Sequence, residues 1–297
     1  MPEHTRQWRT LDLLKVTEEH FREKKIDEAR LHAEILLAHV LQESRMDLYL
    51  NYDRPVEHRQ LEAFRVLCRD RLKGRPLQYI TGEQIFYGYS FSVDERVLIP
   101  RPETELLFEY ALERWQNGAP ALESGPEILD IGTGSGCLAV LFAIKVPDAR
   151  ITAVDVSVEA LEIAALNAEK HGVTERIRFV QSDALHPGFS EKLAGRYDLI
   201  VSNPPYIPES EWSVLQKEVK EYEPKIALTT SDGFAFYHAI NRSASDLLRA
   251  GGILCYELHA DGASTVSGSM REGGYEGIEV QKDYAGLDRV ISGALPV

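Results

Sequence analysis

The chain has 297 residues, 44% hydrophobic and 27% charged, which is ordinary for a globular protein with room for one large and one smaller domain. The net charge is −14: residues 1–80 carry 15 Lys and Arg against 14 Asp and Glu, whereas residues 81–297 carry 18 against 33. Because nucleic-acid affinity rests largely on neutralising phosphates, this balance argues against direct binding of nucleic acid.

The expected location is the cytoplasm. No apolar run is long enough to cross a bilayer, and the first ten residues lack the apolar stretch of a signal peptide. The three cysteines, Cys68, Cys137 and Cys255, lie far apart without a CxxC pair. This spacing argues against a disulfide framework and against a zinc site. We therefore expect no metal and no membrane association.

Residues 1–80 predict a small helical bundle. Apolar residues recur at near-helical spacing from Trp8 to Phe21, and Asp27 is the expected N-cap of a second helix. A third helix is predicted from about Glu57 to Lys73, where Gly74 ends it. Helices without strands between them indicate a separate helical domain.

Residues 81–98 predict a β-hairpin linker between two domains. Short apolar segments at 84–87 and 91–93 flank Gly88-Tyr89-Ser90, which has the composition of a turn. The catalytic domain is then expected over residues 99–297, beginning with a helix from Glu103 to Trp115.

From Pro126 onward, strands and helices alternate. The predicted strands are Glu127–Ile131, Arg150–Val154, Arg178–Gln181, Tyr197–Val201 and Ile253–Leu258, and the predicted helices are Cys137–Lys145 and Val158–His171. Such alternation is typical of an α/β fold with a mostly parallel, doubly wound sheet. Ligands of these sheets bind at the carboxyl ends of the strands.

A nucleoside site is predicted where the first of these strands ends. The turn that follows it is rich in glycine and consists of Gly132, Thr133, Gly134, Ser135 and Gly136. Glycines let a ligand lie against the backbone, and Asp155, at the end of the next strand, is suited to bind ribose hydroxyls. A dinucleotide fingerprint fits less well, because the third glycine comes one position early and Cys137 replaces Gly or Ala. A glycine-rich turn without a ligand is the other alternative.

The third strand ends at Asp183 and Ala184, which we assign to the adenine end of the same site. A carboxylate or backbone group at this position is suited to bind an adenine amino group. The alternative for Asp183 is a carboxylate that only caps its own loop.

The strand Tyr197–Val201 leads into Asn203-Pro204-Pro205-Tyr206. Two prolines make this tetrapeptide a stiff platform with free carbonyls. A planar NH2 group is a poor nucleophile because its lone pair is delocalised. The Asn203 side-chain oxygen and the Pro204 carbonyl are suited to accept its hydrogens, and Tyr206 offers a face for stacking. Beside a nucleoside pocket, the motif predicts methyl transfer from S-adenosylmethionine to a planar nitrogen, whereas a rigid turn or a proline-rich ligand is the alternative.

These motifs together resemble the peptide-chain release-factor glutamine methyltransferases (the PrmC/HemK family). The resemblance extends from about residue 20 to the carboxyl end, and Ile-Pro-Arg-Pro-Glu-Thr-Glu at 99–105 is its most selective motif. Further segments are Phe86-Tyr87-Gly88, Ile128–Gly136, Val201–Ile207, Tyr222-Glu223-Pro224 and 282–289. Two departures are His259, where the family has glycine, and the segment 229–233. We assign no role to His259.

The resemblance implies a class I, Rossmann-like methyltransferase domain behind a helical substrate-binding domain. It implies that Gly132–Gly136, Asp155, Asp183 and Asn203 line the S-adenosylmethionine pocket. Asn203–Tyr206 would then hold the glutamine of a Gly-Gly-Gln loop in a release factor. Arg101, Glu103 and Thr104 would cover the cofactor, with an ion pair at the domain hinge as the alternative for Arg101 and Glu103. We expect a monomer.

Two other functions remain open from the residues alone. A DNA or RNA adenine or cytosine amino-methyltransferase would use the same tetrapeptide on a flipped base, although no basic target-recognition region is evident. A non-catalytic module that has kept the fold is the second, and the intact motifs argue against it.

Overall fold

The computed structural model describes residues 7–118, 125–193 and 195–297. They form two compact units along the chain. The first comprises the residues up to Gly82 together with Lys217–Tyr222, and the second comprises Glu83–Gln216 and Glu223–Val297. The segment Lys217–Tyr222 thus belongs to a unit that is distant in sequence, a feature that no sequence pattern indicates.

The first unit is a helical bundle with an apolar core. Its helices are α1 (Thr10–Glu23), α2 (Ala29–Leu41), α3 (Arg45–Leu50), α4 (His58–Leu72) and α5 (Leu77–Thr81), joined by the segment Lys217–Tyr222. Phe21, Leu36 and Phe64 are fully buried and pack in one cluster. The three predicted helices are confirmed, whereas α3 and α5 are too short to show a periodic pattern.

The predicted N-cap at Asp27 is wrong. Glu28 precedes α2 with φ of +48°, and Lys25 has φ of +59°. Two left-handed residues close the tight connection between α1 and α2, so no side chain caps α2. The end of α4 is as predicted, because Gly74 follows it with φ of +101°, a conformation that favours glycine.

The second unit is an α/β domain that begins with a hairpin. In chain order, its elements are β1 (Glu83–Phe86), β2 (Tyr89–Ser92), α6 (Pro102–Gly118), β3 (Glu127–Ile131), α7 (Cys137–Lys145), β4 (Arg150–Asp155), α8 (Val158–Lys170), β5 (Ile177–Gln181), β6 (Tyr197–Ser202), β7 (Ile207–Pro208), β8 (Thr229–Thr230), α10 (Ala235–Leu247), β9 (Leu248–Glu257), α11 (Ala263–Glu272), β10 (Glu276–Lys282) and β11 (Asp288–Ala294). The label α9 is given to Lys217–Tyr222 of the first unit.

The hairpin is confirmed, but its turn starts one residue earlier than predicted and contains two residues instead of three. Phe86 pairs with Tyr89, which leaves Tyr87 and Gly88 as the loop. Both loop residues have positive φ, +50° and +78°. A two-residue hairpin turn with positive φ at both positions matches the twist of the flanking strands, and this places Tyr89 in β2 rather than in the turn.

The main sheet of the described residues has the order β10-β11-β9-β6-β3-β4-β5. The strands β9, β6, β3, β4 and β5 are parallel, whereas β10 and β11 add an antiparallel edge. The predicted doubly wound sheet is therefore confirmed, and β10, β11, α10 and α11 are elements that the sequence reading did not predict. No described helix has the length and apolarity required to cross a membrane.

The sheet core places the candidate site. Every residue of β6 is buried, and so are the last four residues of β3. Since β3, β4 and β6 are parallel neighbours, Ile131, Asp155 and Ser202 meet at one edge of the sheet. All three predicted motifs begin at this edge.

Candidate active site

One cavity of about 660 Å³ opens at the carboxyl edge of the sheet. This volume lies within the range of small-molecule sites. The predicted residues that line it are Gly132, Thr133, Gly134, Ser135, Asp155, Asp183, Ala184, Asn203, Pro204 and Pro205. The cofactor and substrate motifs therefore share one cavity, although they lie up to 73 residues apart in the chain.

The glycine turn is held by β4. The backbone N–H groups of Gly132 and Thr133 both donate to the Val154 carbonyl, at 2.8 and 2.9 Å. Gly132 and Gly134 have φ of +76° and +54°, a region that favours glycine. A methyl group built on Gly134 would meet no described atom within 4 Å, and one on Gly132 would stand 3.9 Å from the Asn203 carbonyl. The glycines thus keep the backbone open to a ligand.

Asp155 connects the turn to the end of β4. Its Oδ2 accepts a hydrogen bond of 2.9 Å from the Gly134 N–H, and its Oδ1 accepts one of 3.0 Å from Ser157. Burial raises the pKa of Asp155 above its ordinary value, and these backbone donors oppose that rise. The carboxylate therefore orders the turn and also lines the cavity.

Gly136 does not line the cavity, in contrast to its assignment. A methyl group on Gly136 would stand 2.9 Å from the Ala164 Cβ, and φ is +78°. Gly136 lies where the turn and α8 approach each other closely. This close approach to α8 requires a residue without a side chain, which gives Gly136 a packing role that its assignment to the cofactor did not include.

Asp183 lies at the end of β5 with its carboxylate turned into its own loop. Its Oδ1 accepts a hydrogen bond of 2.8 Å from the Leu185 N–H, as a loop-capping aspartate does. Asp183 and Ala184 both line the cavity, so capping and lining occur together. The neighbouring Ser182 hydroxyl is buried and has no hydrogen-bond partner among the described residues.

The Asn-Pro-Pro-Tyr motif leaves β6 from a fully buried position. The Ser202 hydroxyl donates to the Ile131 carbonyl at 2.7 Å, which fixes the end of β6 against β3. Asn203 Nδ2 then donates to the Thr104 hydroxyl at 3.0 Å, and the Thr104 hydroxyl donates to Glu257 Oε2 at 2.6 Å. The Asn203 side chain is thereby tied to α6 and to the end of β9.

Tyr206 is not among the residues that line the cavity. Its hydroxyl donates to Glu257 Oε1 at 3.1 Å, and its ring meets His259 edge to face, with 6.0 Å between the ring centroids. Burial and the Glu257 carboxylate raise the pKa of Tyr206 above its ordinary value, so the hydroxyl keeps its proton. Both ends of the motif therefore converge on Glu257.

Glu257 is 1% exposed and accepts hydrogen bonds from both Thr104 and Tyr206. Burial raises its pKa, while hydrogen bonds from Thr104 and Tyr206 and the charge of Arg289 lower it. The sequence analysis gave Glu257 no role, although it lies within the predicted strand Ile253–Leu258. An acidic residue at the end of an apolar strand is the signal that would have singled it out.

Arg101 pairs with Glu223 rather than with Glu103. Arg101 Nη2 lies 2.5 Å from Glu223 Oε1, and the Ile99 N–H donates to Glu223 Oε2 at 3.2 Å. Arg101 and Thr104 line the cavity, whereas Glu103 is not among its lining residues. Glu223 is buried and was missed, although it stands in the Tyr-Glu-Pro segment that contributed to the resemblance.

Comparisons with known proteins agree with this architecture. Residues 12–82 match the family model described as the PrmC N-terminal domain, and residues 118–221 match the methyltransferase small domain. A methyltransferase from Pyrococcus furiosus, 21% identical, has the same fold with a TM-score of 0.53, over 77% of this chain and all of that one. The fold and its matches define an S-adenosylmethionine-dependent methyltransferase of the Rossmann-like class.

Two curated relatives identify the family. The release factor glutamine methyltransferase of Chlorobaculum tepidum is 54% identical over 98% of this chain and 99% of the relative. That of Geobacter sulfurreducens is 40% identical over 99% of this chain and its own full length. The chain belongs to the release factor glutamine methyltransferase family.

Proposed function

We propose that the protein transfers the methyl group of S-adenosylmethionine to the side-chain amide nitrogen of the glutamine in the Gly-Gly-Gln loop of a release factor. The observation that carries the proposal is the shared cavity, in which the glycine turn and Asp155 adjoin Asn203 and Pro204. Two relatives that align with nearly the whole chain are named for this activity.

The residues of the cavity fit S-adenosylmethionine. Gly132 and Gly134 leave backbone uncovered, and a side chain on Gly132 would narrow the gap towards the Asn203 carbonyl. We assign the nucleoside to Gly132, Thr133, Gly134, Ser135 and Asp155, and the adenine to Asp183 and Ala184. When bound, S-adenosylmethionine supplies a methyl group on a positively charged sulfur.

The residues of Asn-Pro-Pro-Tyr hold the glutamine amide in this proposal. The Asn203 Oδ1 and the Pro204 carbonyl accept the two amide hydrogens and orient the nitrogen, while Pro205 keeps the platform stiff. The nitrogen forms a bond to the methyl carbon as the carbon–sulfur bond breaks, which leaves S-adenosylhomocysteine as the product. The methylated amide then loses one proton to water. Positioning supplies the rate gain, so no strong base is required. Tyr206 contributes indirectly, through its hydrogen bond to Glu257.

The helical unit supports a substrate-binding role. Residues 12–82 match the family model described as the PrmC N-terminal domain. We propose that residues 1–80 bind the release factor, that residues 81–98 form the linker and that residues 99–297 carry out catalysis. A cytoplasmic location and a monomeric enzyme without metal complete the proposal, consistent with the free thiols of Cys68, Cys137 and Cys255.

The test is transfer of a radiolabelled methyl group from S-adenosylmethionine to purified release factor. The expected result is labelling of the wild-type factor and none of a factor whose Gly-Gly-Gln glutamine is changed to alanine. Equal labelling of both would refute the proposal. A parallel reaction with duplex and single-stranded DNA distinguishes the amino-methyltransferase alternative, and S-adenosylmethionine calorimetry distinguishes a non-catalytic module.

A further inference from the structure

We propose that Thr104 and Glu257 are positioning residues that set the direction of the Asn203 amide, so that its oxygen rather than its NH2 group is presented to the substrate nitrogen. This inference rests on the proposed function. It concerns two residues from distant parts of the chain, Thr104 at the start of α6 and Glu257 at the end of β9.

The direction follows from counting hydrogens. Glu257 Oε2 accepts from Thr104 Oγ1 at 2.6 Å, and this short contact uses the single hydrogen of the Thr104 hydroxyl. Towards Asn203 the Thr104 hydroxyl can then only accept. The 3.0 Å contact therefore requires the Asn203 NH2 group on the Thr104 side.

The consequence is an acceptor on the other side of the Asn203 amide. The oxygen and nitrogen of an asparagine side chain are distinguished by the hydrogen bonds they make, and here the bond to Thr104 decides the orientation. Asn203 Oδ1 accepts no hydrogen bond from the described residues, and Asn203 lines the cavity. The NH2 group of the substrate needs such an acceptor. If the Asn203 amide were reversed, its own NH2 group would face the substrate NH2 group and could not accept a hydrogen bond from it.

The surroundings of Glu257 favour this arrangement. Thr104 and Glu257 are both buried, at 3% and 1% exposure, so water does not replace the hydrogen bonds between them. The second carboxylate oxygen accepts from Tyr206, and Arg289 contributes a positive charge nearby. Glu103, Cys137 and Tyr237 are further titratable groups that interact with this carboxylate. With both oxygens occupied by hydroxyl donors, Glu257 orients the two ends of the Asn-Pro-Pro-Tyr motif together.

The test begins with Thr104→Val, which keeps the shape and removes the hydroxyl. We expect kcat to fall by about 10- to 100-fold, because incorrect positioning of the substrate reduces the reaction rate by about that factor. KM for release factor and the Kd for S-adenosylmethionine should change less, by about 3-fold at most. Thr104→Ser returns the hydroxyl and should restore most of the lost turnover. Thr152→Val, at a buried threonine of β4 outside the cavity, is the matched control for stability.

A double-mutant cycle separates positioning from a general structural effect. If Thr104 acts through Asn203, adding Thr104→Val to Asn203→Ala should lower kcat no further. An additional loss of the same size as in the wild-type background would overturn the inference. Glu257→Gln, which replaces an acceptor by a donor, should lower kcat by about 10-fold, and wild-type turnover in it would remove Glu257 from the inference.

A measurement without activity keeps the inference distinct from the proposed function. The side-chain NH2 protons of Asn203 should exchange slowly with solvent in nitrogen-15 NMR spectra of the wild-type protein and quickly in Thr104→Val. If release factor is not methylated but this difference is seen, the proposed function fails and the orientation stands. If the exchange rates are equal, the orientation fails whatever the activity.

Discussion

A methyl group added to Gly136 would stand 2.9 Å from the Cβ of Ala164, closer than side-chain carbons pack in proteins. The cofactor turn and α8 therefore approach each other through a glycine. This relationship gives Gly136 a role in packing, while Gly132 and Gly134 serve the cavity.

Gly136→Ala and Gly134→Ala should consequently have different effects. Gly136→Ala combines the clash with a φ of +78° and should lower the free energy of unfolding by about 2–4 kcal/mol. Gly134→Ala meets no described neighbour and should cost only the backbone strain, about 1–2 kcal/mol. Urea unfolding of both variants measures the difference. A larger loss in Gly134→Ala would contradict the packing role.

Asn203→Ala should lower turnover by about 100-fold or more while the fold and the binding of S-adenosylmethionine persist. The change removes an acceptor that orients the substrate, and removal of one such preorganised group has an effect of about this size. Steady-state methylation of release factor gives kcat, and thermal melting with calorimetry provides the control. Activity within a few-fold of the wild type would show that Asn203 is not the orienting residue.

Asp155→Ala should weaken the binding of S-adenosylmethionine by about 10- to 100-fold, since hydrogen bonds to a charged group contribute about 1.5–3 kcal/mol. The same change also releases the Gly134 N–H, which disorders the turn. Asp183→Ala is the comparison, because that carboxylate is exposed and caps its own loop, and we expect less than about 10-fold there. Calorimetry measures the affinity of each variant for S-adenosylmethionine. An equal loss of affinity in both variants would show that Asp183 contributes as much to binding as Asp155.

The stability of the protein should depend on the protonation of Asp130. Burial raises the pKa of this carboxyl to about 7, because it is 1% exposed and its Oδ1 has no partner among the described residues. In the unfolded chain the pKa returns to about 3.8. Between these values the folded state holds a proton that the unfolded state has lost, so the contribution of Asp130 to stability falls as pH rises from about 4 to 7. Above pH 7, Asp130 is ionised in the folded protein as well, and the resulting loss of folding stability is on the order of 4 kcal/mol.

Asp130→Asn should therefore flatten the pH dependence of unfolding. The variant keeps an oxygen for the Thr133 hydroxyl and the Ala139 N–H but cannot ionise. Urea unfolding at pH 5.5 and pH 8 measures the slope. If wild type and variant lose stability equally over this interval, Asp130 does not hold a proton in the folded state.

Much of the fold followed from local patterns. The strand–turn–helix run at 127–145 was predicted with its observed bounds, because apolar strands, glycine turns and helix periodicity are properties of neighbouring residues. The antiparallel edge β10–β11 was not predicted. The residues of β10 are mostly exposed, so they lack the apolar pattern that marks a buried strand.

By itself, the sequence determined the chemistry of the site: the glycine turn with Asp155, and the stiff Asn-Pro-Pro-Tyr platform. These motifs depend on backbone conformations that glycine and proline impose locally. The tertiary structure alone decided the partners, since Asn203 meets Thr104 across 99 residues and Thr104 meets Glu257 across 153. Such pairs form only when strands and helices pack, because a side chain's hydrogen-bond partner is set by burial and distance rather than by its neighbours in the chain.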